Sequence, residues 1–355
     1  FENAGSSDKV MCVPMDYAKN DHLVMFCNGH GDILRKPFSV KNTPEGLAYI
    51  EDQVTRSCTK RGIKKEHVFF GGEDANSFAK NFVSTLRSKG FLVANVNAHD
   101  AKKQRESVQA STDRIDLMGI ASMLLNCRGN CSPAQSGIYH NLRLLVRHRR
   151  KLVQMLTEVK NRVHGIVDEL FPGFLKEQNT GIVAFTESSL YLMEDRFSPK
   201  QVCRRKRKKL IEILKRFGTS KAEQTAAKLQ QYAAKVLHAP VEQVDTMQLS
   251  LSQHVKHIRC VKESIAHMEK EIALDLAQTQ GAFLTSVRGV GLVLAAGVTA
   301  EIGNPNGQKP LNNWSSYAGI VPRVKQTGGI EGKTYTGPVA RRCNRILKDY
   351  VVQSA

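Results

Sequence analysis

The stretch VMCVPMDYAKNDHLVMFCNGHGDILRKPFSV, residues 10–40, decides how the N-terminal third of the chain folds. It holds three apolar runs, 10–15, 23–27 and 33–40, with Gly29-His30-Gly31-Asp32 as turn punctuation between the last two. Short apolar runs bounded by Gly and Asp read as strands, and three in succession with tight turns predict an antiparallel meander. Working outward, Thr43 stands as N-cap ahead of Pro44 at the first helical position, which predicts a helix over 44–61. Residues 67–70 read as a fourth strand closed by Gly71-Gly72. Residues 76–89 place Phe78, Phe82, Val83 and Leu86 on one helical face and stop at Gly90; 91–96 is a fifth strand. The order β-β-β-α-β-α-β, followed by helices, is that of the ribonuclease H-like fold.

At 355 residues the chain has room for two or three domains. We divide it into an α/β domain over 1–132, a long helical and coiled-coil linker over 133–280, and a small, mainly helical C-terminal domain over 281–355. With 41% hydrophobic and 24% charged residues, it can bury a core and is not a disordered chain. No apolar run reaches the ~18 residues of a membrane span, which excludes an integral membrane protein. No basic-then-apolar leader pattern opens the chain, so a bacterial cytosolic or nucleoid location is expected. Phe1 as first residue reads as the interior of a longer natural chain. The eight cysteines are scattered, and only Cys127 and Cys131 lie close, with no second pair at zinc spacing, so reduced thiols are expected.

Lys and Arg number 52 against 33 Asp and Glu, a net +19. That excess points to a polyanionic partner, and nucleic acid fits better than a membrane surface, since no lipidation motif or Trp-rich amphipathic helix accompanies it. Two stretches concentrate the charge. Residues 133–171 form a long helix by the spacing of Leu142, Leu145, Val146, Val153, Leu156, Val163, Ile166 and Leu170. Arg143, Arg147, His148, Arg149, Arg150 and Lys151 crowd its other side with no acid among them, which reads as a phosphate-tracking face. Arg204-Arg205-Lys206-Arg207-Lys208-Lys209 opens another helix and reads as a second nucleic-acid contact. A further helix is expected over 222–237. Over 246–277, Leu251, Val255, Ile258, Val261, Ile265, Met268 and Ile272 form a heptad-like stripe. It fits either a core helix or a coiled coil through which chains associate.

Four acids carry the chemistry. Asp16 lies just past the first strand, and Glu73 follows the fourth strand and its glycines. Asp113 and Asp116 open a helix and, three apart, share a face. In a ribonuclease H-like sheet the first and fourth strands are neighbours, so the four carboxylates converge on one sheet edge. Clustered carboxylates repel each other unless cations neutralise them, and hard oxygen donors suit Mg²⁺, with Mn²⁺ as a substitute. Two such ions about 4 Å apart stabilise the attacking and leaving oxygens of a phosphodiester. Asp21, Asp74 and Asp100 are near neighbours, less well placed.

In the C-terminal segment, Val287-Arg288-Gly289-Val290-Gly291-Leu292 precedes a small-residue helix over 293–302. A Gly289–Gly291 turn between helices presents backbone N–H groups to a phosphate, as in a helix-hairpin-helix element. Farther on, Thr327 precedes Gly328-Gly329, with Arg323, Lys333, Arg341, Arg342, Arg345 and Lys348 around it. A hydroxyl before paired glycines among arginines has the makings of a phosphodiester nucleophile; the alternative is an ordinary glycine-rich loop.

Together these motifs resemble the DEDD-type insertion-sequence transposases of the insertion-sequence one-ten family, the bridge-RNA-guided recombinases. The resemblance rests on MDYAK at Asp16, GGEDANSF at Glu73, STDRIDLMGIA at Asp113 and Asp116, VRGVGLVLAAGVTAEIG around Gly289, and YAGIVPRVKQTGG through Thr327, in that order. It implies a RuvC-like N-terminal domain, a coiled-coil linker and a C-terminal transposase domain. It also implies a structured guide RNA that pairs with donor and target DNA, and dimers that assemble to tetramers. In the family a serine of the transposase domain is the nucleophile, beside the acids of a neighbouring subunit. By motif position that serine falls at Thr327, and the family's later ISK-like element at Val339-Ala340-Arg341. Threonine keeps the hydroxyl, but its branched Cβ restricts χ1 and crowds the attacked phosphorus. Two other classes compete: a metal-dependent junction-resolvase-type nuclease using the acids alone, and a non-catalytic nucleic-acid-binding protein. A covalent protein–DNA adduct separates the first reading from both.

Overall fold

The structure, a computed structural model, describes residues 4–73, 78–97, 112–129, 137–195, 197–304, 311–327, 333–339 and 343–355. The chain divides into two compact units, Phe1–Ala134 and Gln135–Ala355.

The first unit is built on a five-stranded sheet. Its strands are β1 (Met11–Asp16), β2 (Asp21–Asn28), β3 (Ile33–Lys41), β4 (Val68–Glu73) and β5 (Leu92–Asn95), in the order β3-β2-β1-β4-β5. β1, β2 and β3 form the expected antiparallel meander, and β4 and β5 add on in parallel. This mixed sheet is consistent with a ribonuclease H-like domain. Parallel pairing needs crossovers, which α1 (Pro44–Arg61) and α2 (Lys80–Ser88) provide. α1 starts where its cap requires: the Thr43 side chain accepts from the Gly46 N–H, and Pro44 occupies the first turn.

The two faces of the sheet separate by the period of two along each strand. Met11, Val13 and Met15 of β1 join Leu47, Ile50 and Val54 of α1 and Phe82, Val83 and Leu86 of α2 in one core. Cys12 joins Met25, Cys27, Leu117, Ile120 and Leu124 in a second core on the opposite face, under α3 (Asp113–Leu125). Pro14 lies within the central strand β1, where it has no N–H to give, and the β1–β2 register runs from Cys12↔Cys27 to Met15↔Val24. The strand ends differ from the sequence reading in one way that matters: Asp16 and Glu73 are the last residues of β1 and β4, not residues beyond them.

The second unit is organised by two long helices, α4 (Gly137–Leu170) and, later in the chain, Val241–Ala277. They run antiparallel. Leu142 and Val146 cluster with Ile272 and Leu276, while Val159, Val163 and Val167 cluster with Leu251, Val255 and Ile258. The heptad-like stripe is therefore covered by α4 of the same chain and acts as a core helix. Between them lie α5 (Glu177–Thr180), α6 (Glu187–Glu194), α7 (Pro199–Arg204), α8 (Arg207–Arg216) and α9 (Ala222–Ala233); the long helix 241–277 is α10. α6 to α9 close over the end of the pair through Phe171, Phe174, Phe197, Leu210 and Leu229.

A 3-10 helix (Gln280–Ser286), α11 (Leu292–Ile302) and α12 (Leu311–Ala318) follow. Then comes an antiparallel ribbon that the sequence reading took for a loop, β6 (Pro322–Thr327) and β7 (Lys333–Val339), and finally α13 (Arg345–Ser354). The ribbon escapes pattern reading because it buries no apolar face: Val324, Tyr335 and Val339 are all exposed.

Gly72 is a position where side-chain bulk would disturb the first unit. A Cβ there would lie 2.1 Å from the Met15 carbonyl oxygen and 2.6 Å from the Tyr17 ring. Gly72→Ala should therefore cost about 1–3 kcal/mol, as overpacking does. A urea midpoint unchanged from wild type would contradict this packing.

Candidate active site and nucleic-acid interface

Asp16 and Glu73 are register partners across the parallel β1–β4 ladder. By alternation Asp16 faces the same side as Cys12, and Glu73 the same side as Phe69 and Gly71, so both point to the face that α3 covers. The Thr112 side chain caps α3 by accepting from the Ile115 N–H, and Asp116, half-buried, sits in the first turn. Leu125 at the other end of α3 packs toward Gly31 in the β2–β3 turn. That turn is at the opposite end of the sheet from Asp16, so the first turn of α3 lies toward the Asp16 end. The side chain of Asp113 falls outside the described residues, as do Asp74 and Asp100.

Asp16 and Glu73 are thus neighbours on one face of the sheet, and α3, with Asp116 in its first turn, covers that face. Among the described residues no group of three or more His, Cys, Asp and Glu side chains comes close enough to hold a metal ion. The donor set is all carboxylate, the chemistry that suits a hard divalent cation. One residue at this edge carries no signal in the sequence. His22 is fully buried in β2, and its Nδ1 accepts from the Ala18 N–H at 3.3 Å, which steadies the turn after Asp16. The His22 ring meets Tyr17 and Phe82 edge-on at 5.4 and 4.8 Å.

In the second unit Thr327 ends β6 opposite Lys333 and is exposed. Gly328, Arg341, Arg342 and the side chain of Arg323 fall outside the described residues. Gly289 has φ +91°, a left-handed conformation that favours glycine, and exposed Gly291 is the N-cap of α11. The element before this turn is the 3-10 helix, not the α-helix expected from the sequence.

The arginines of α4 that the sequence reads as phosphate-tracking have partners within the chain. Arg143 donates to Glu301 Oε2 at 3.0 Å, and Arg147 grips the same carboxylate with a fork, Nε to Oε1 at 2.8 Å and Nη2 to Oε2 at 2.9 Å. Arg149 reaches Glu269 of α10 at 2.7 Å, and Arg150 pairs with Asp349 of α13. These four arginines bind α4 to α10, α11 and α13. Their acids lie more than a hundred residues away in sequence, so the run looked unopposed. Lys151 and His148 are exposed.

The Glu301 side chain is 0% exposed. Burial works against its ionisation, but hydrogen bonds from Arg147 and Asn344 and the charges of Arg143 and Arg147 outweigh it and hold the carboxyl below its ordinary range. The same hydrogen bond raises Arg147, against its partial burial.

The second basic run behaves differently. Arg205 donates to the Asp195 carbonyl at 2.9 Å and carboxylate at 3.3 Å, and Arg207 donates to Gln230 at 3.2 Å. Gln230 in turn donates to the Arg205 carbonyl at 2.8 Å, which braces the α7–α8 turn. Arg204, Lys206, Lys208 and Lys209 project from it, exposed. Of the two runs, this one keeps its charge at the surface.

Residues 13–172 match the DEDD transposase model of the IS110 type, and residues 281–355 match the Transposase IS116/IS110/IS902 family. The two matches together span well over half of the chain. The chain belongs to the IS110 family of transposases. Membership makes it a DNA transposase or recombinase with DNA as partner, and the DEDD class implies a divalent metal. None of the curated proteins compared with the transposase matches it. No helix among the described residues is long and apolar enough to cross a membrane.

Because the folded-state pKa of Glu301 lies below its unfolded value of about 4.3, the carboxylate contributes stability above that value. The contribution is lost as pH falls through the lower, folded pKa. Glu301→Gln should cost about 3 kcal/mol near neutrality, because it leaves two guanidinium groups without their buried counter-charge. It should also flatten the fall in stability as pH drops below the ordinary carboxylate range. Parallel acid-unfolding curves for the two proteins would contradict the assignment.

Proposed function

We propose that this transposase cuts and rejoins DNA under the guidance of a structured RNA, using the RuvC-like acids Asp16, Glu73, Asp113 and Asp116 and the Thr327 hydroxyl. The observation that carries the reading is the Asp16↔Glu73 register pair at the ends of β1 and β4, on the face that α3, the helix of Asp116, covers. On this reading the four carboxylates hold Mg²⁺, for which Mn²⁺ substitutes; the ion supplies charge to the oxygens of the phosphodiester. Thr327 Oγ1 forms a bond to phosphorus as the bond from phosphorus to a deoxyribose oxygen breaks. The hydroxyl proton leaves to a neighbouring base or to water, and the departing oxygen takes up a proton. Arg323, Arg341 and Arg342 stabilise the charge on the phosphate, and Gly328 lets the backbone approach it. Gly289 and Gly291 hold a second phosphate through backbone N–H groups. The working form is a dimer that assembles to a tetramer.

Thr327→Ala should remove both recombination and any covalent protein–DNA adduct, since a methyl group cannot attack phosphorus. Thr327→Ser should leave recombination level or raise it, by restoring rotamer freedom around the same oxygen. Asp113→Ala and Asp116→Ala should each abolish cleavage and keep RNA binding. Trapping the adduct under denaturing conditions and mapping the linked peptide tests the assignment; linkage to Tyr317, Tyr335 or Ser315 would overturn it. Metal-dependent nicking with no adduct would favour a junction-resolvase-type nuclease.

Nucleic-acid affinity should fall by orders of magnitude from low to moderate salt. Replacing Arg204, Lys206, Lys208 and Lys209 together by Gln should make that dependence less steep, because fewer counterions are released. Arg149→Gln should lower thermal stability and leave the salt slope as it was. Equal slopes for wild type and the quadruple variant would remove the α7–α8 turn from the interface.

A further inference from the structure

The β6–β7 ribbon has two feet. Its first strand leaves from Tyr317 near the end of α12, and its second returns to Asn344 at the start of α13. The feet are bonded to each other twice: the Asn344 N–H donates to the Tyr317 carbonyl at 2.8 Å, and Asn344 Nδ2 donates to the Tyr317 hydroxyl at 2.9 Å. Nδ2 also donates to Glu301 Oε2 at 2.7 Å, the carboxylate that Arg143 and Arg147 hold from α4. The other side-chain atom of Asn344, Oδ1, accepts from the Ile346 and Leu347 N–H groups at 3.1 Å each and caps α13. Both ends of one amide are thus in use. A carboxylate in its place has no donor for Glu301 or Tyr317, and a hydroxyl has a single one.

A two-stranded ribbon has little stability of its own, and the exposed side chains of this one give it no packed face. Its feet rest on a buried carboxylate fixed by two arginines of the long helix.

We propose that Glu301 and Asn344 are positioning residues for the hydroxyl at the end of β6. The buried carboxylate fixes Asn344, Asn344 ties the two feet together, and the feet aim the strand that carries Thr327. The proposal rests on the reading of Thr327 as nucleophile. A displacement of about 1 Å at a reacting atom can lower a rate about a hundredfold, so loosening the feet should reduce the rate of attack more than it reduces DNA binding.

Asn344→Ser and Tyr317→Phe test this. Serine still caps α13 but offers a single donor, and phenylalanine removes only the hydroxyl from the foot. Both are made in the full chain, with the RNA and DNA that co-purify from its host, and each is measured in three ways. Hydrogen exchange at β6 and β7 amides should quicken in both variants, while α4 and α10 stay protected. The DNA dissociation constant should stay within about twofold. The rate of adduct formation should fall roughly ten- to a hundredfold for Asn344→Ser and less for Tyr317→Phe.

Unchanged exchange in the ribbon would overturn the proposal, as would faster exchange with an unchanged adduct rate. So would a uniform loss of protection across the second unit, which would mark the contacts as merely stabilising. A Thr327→Ala protein that still forms the adduct would refute the nucleophile reading instead, and the exchange measurement would still report on the feet.

Discussion

The parallel pairing of β1 with β4 is the constraint on which the candidate site depends. It brings residues from two distant parts of the chain into direct register, Asp16 opposite Glu73. Side-chain direction alternates along a strand, so a slip of one residue would send one carboxylate to the α1–α2 core and leave the other facing α3. The hydrophobic pattern prevents that slip. Met11, Val13 and Met15 belong to one core and Cys12 to the other, and moving either set would expose apolar surface or bury a charge. The acids are held in place by the packing of the apolar residues around them.

The same principle explains where the positive charge goes. A run of arginines has two stable outcomes: an anionic partner outside the protein, or carboxylates inside it. For α4 the structure supplies the second through Glu301, Glu269 and Asp349. A buried carboxylate with two guanidinium groups costs desolvation, and hydrogen bonds to the carboxylate offset that cost. The fork from Arg147, the single contact from Arg143 and the amide of Asn344 supply four of them, although Arg143 Nε is itself buried without a partner. The α7–α8 run lacks such carboxylates apart from Asp195, and its surplus stays at the surface, where a polyanion can use it.

The sequence makes legible whatever is local. Thr43-Pro44 marks the start of α1, and apolar spacing marks α4 and α10 as long helices, because caps and periodicity act within a few residues. Asp16 and Glu73 were readable because their strands have a recognisable order. The partners of Arg143, Arg147, Arg149 and Arg150 were not, since an ion pair across more than a hundred residues leaves no spacing to read. The ribbon that ends at Thr327 was hidden for a different reason: it pairs backbone to backbone without an apolar face, so no alternation announces it. His22 was equally silent. A histidine among apolar residues becomes informative only when the backbone N–H it accepts from is known.

On the proposed reading the hydroxyl of Thr327 has to become reactive. It stands on an exposed strand, and an alcohol in water holds its proton firmly. Attack on a phosphodiester needs a base for that proton and positive charge for the phosphate. The ribbon itself offers aim but little else. On the proposed reading the acids and their metal come from a neighbouring subunit, so the reaction would begin only once subunits and DNA are assembled. That arrangement has a physical advantage: an isolated protein carrying a complete phosphodiester-cleaving centre would cut whatever DNA its +19 charge attracted. On that reading, dividing the nucleophile from the metal-binding acids makes assembly the condition for chemistry, and places the demand for precision on the rigidity of each part. In the proposed arrangement, a fixed carboxylate beneath the feet of an otherwise weak ribbon meets that demand.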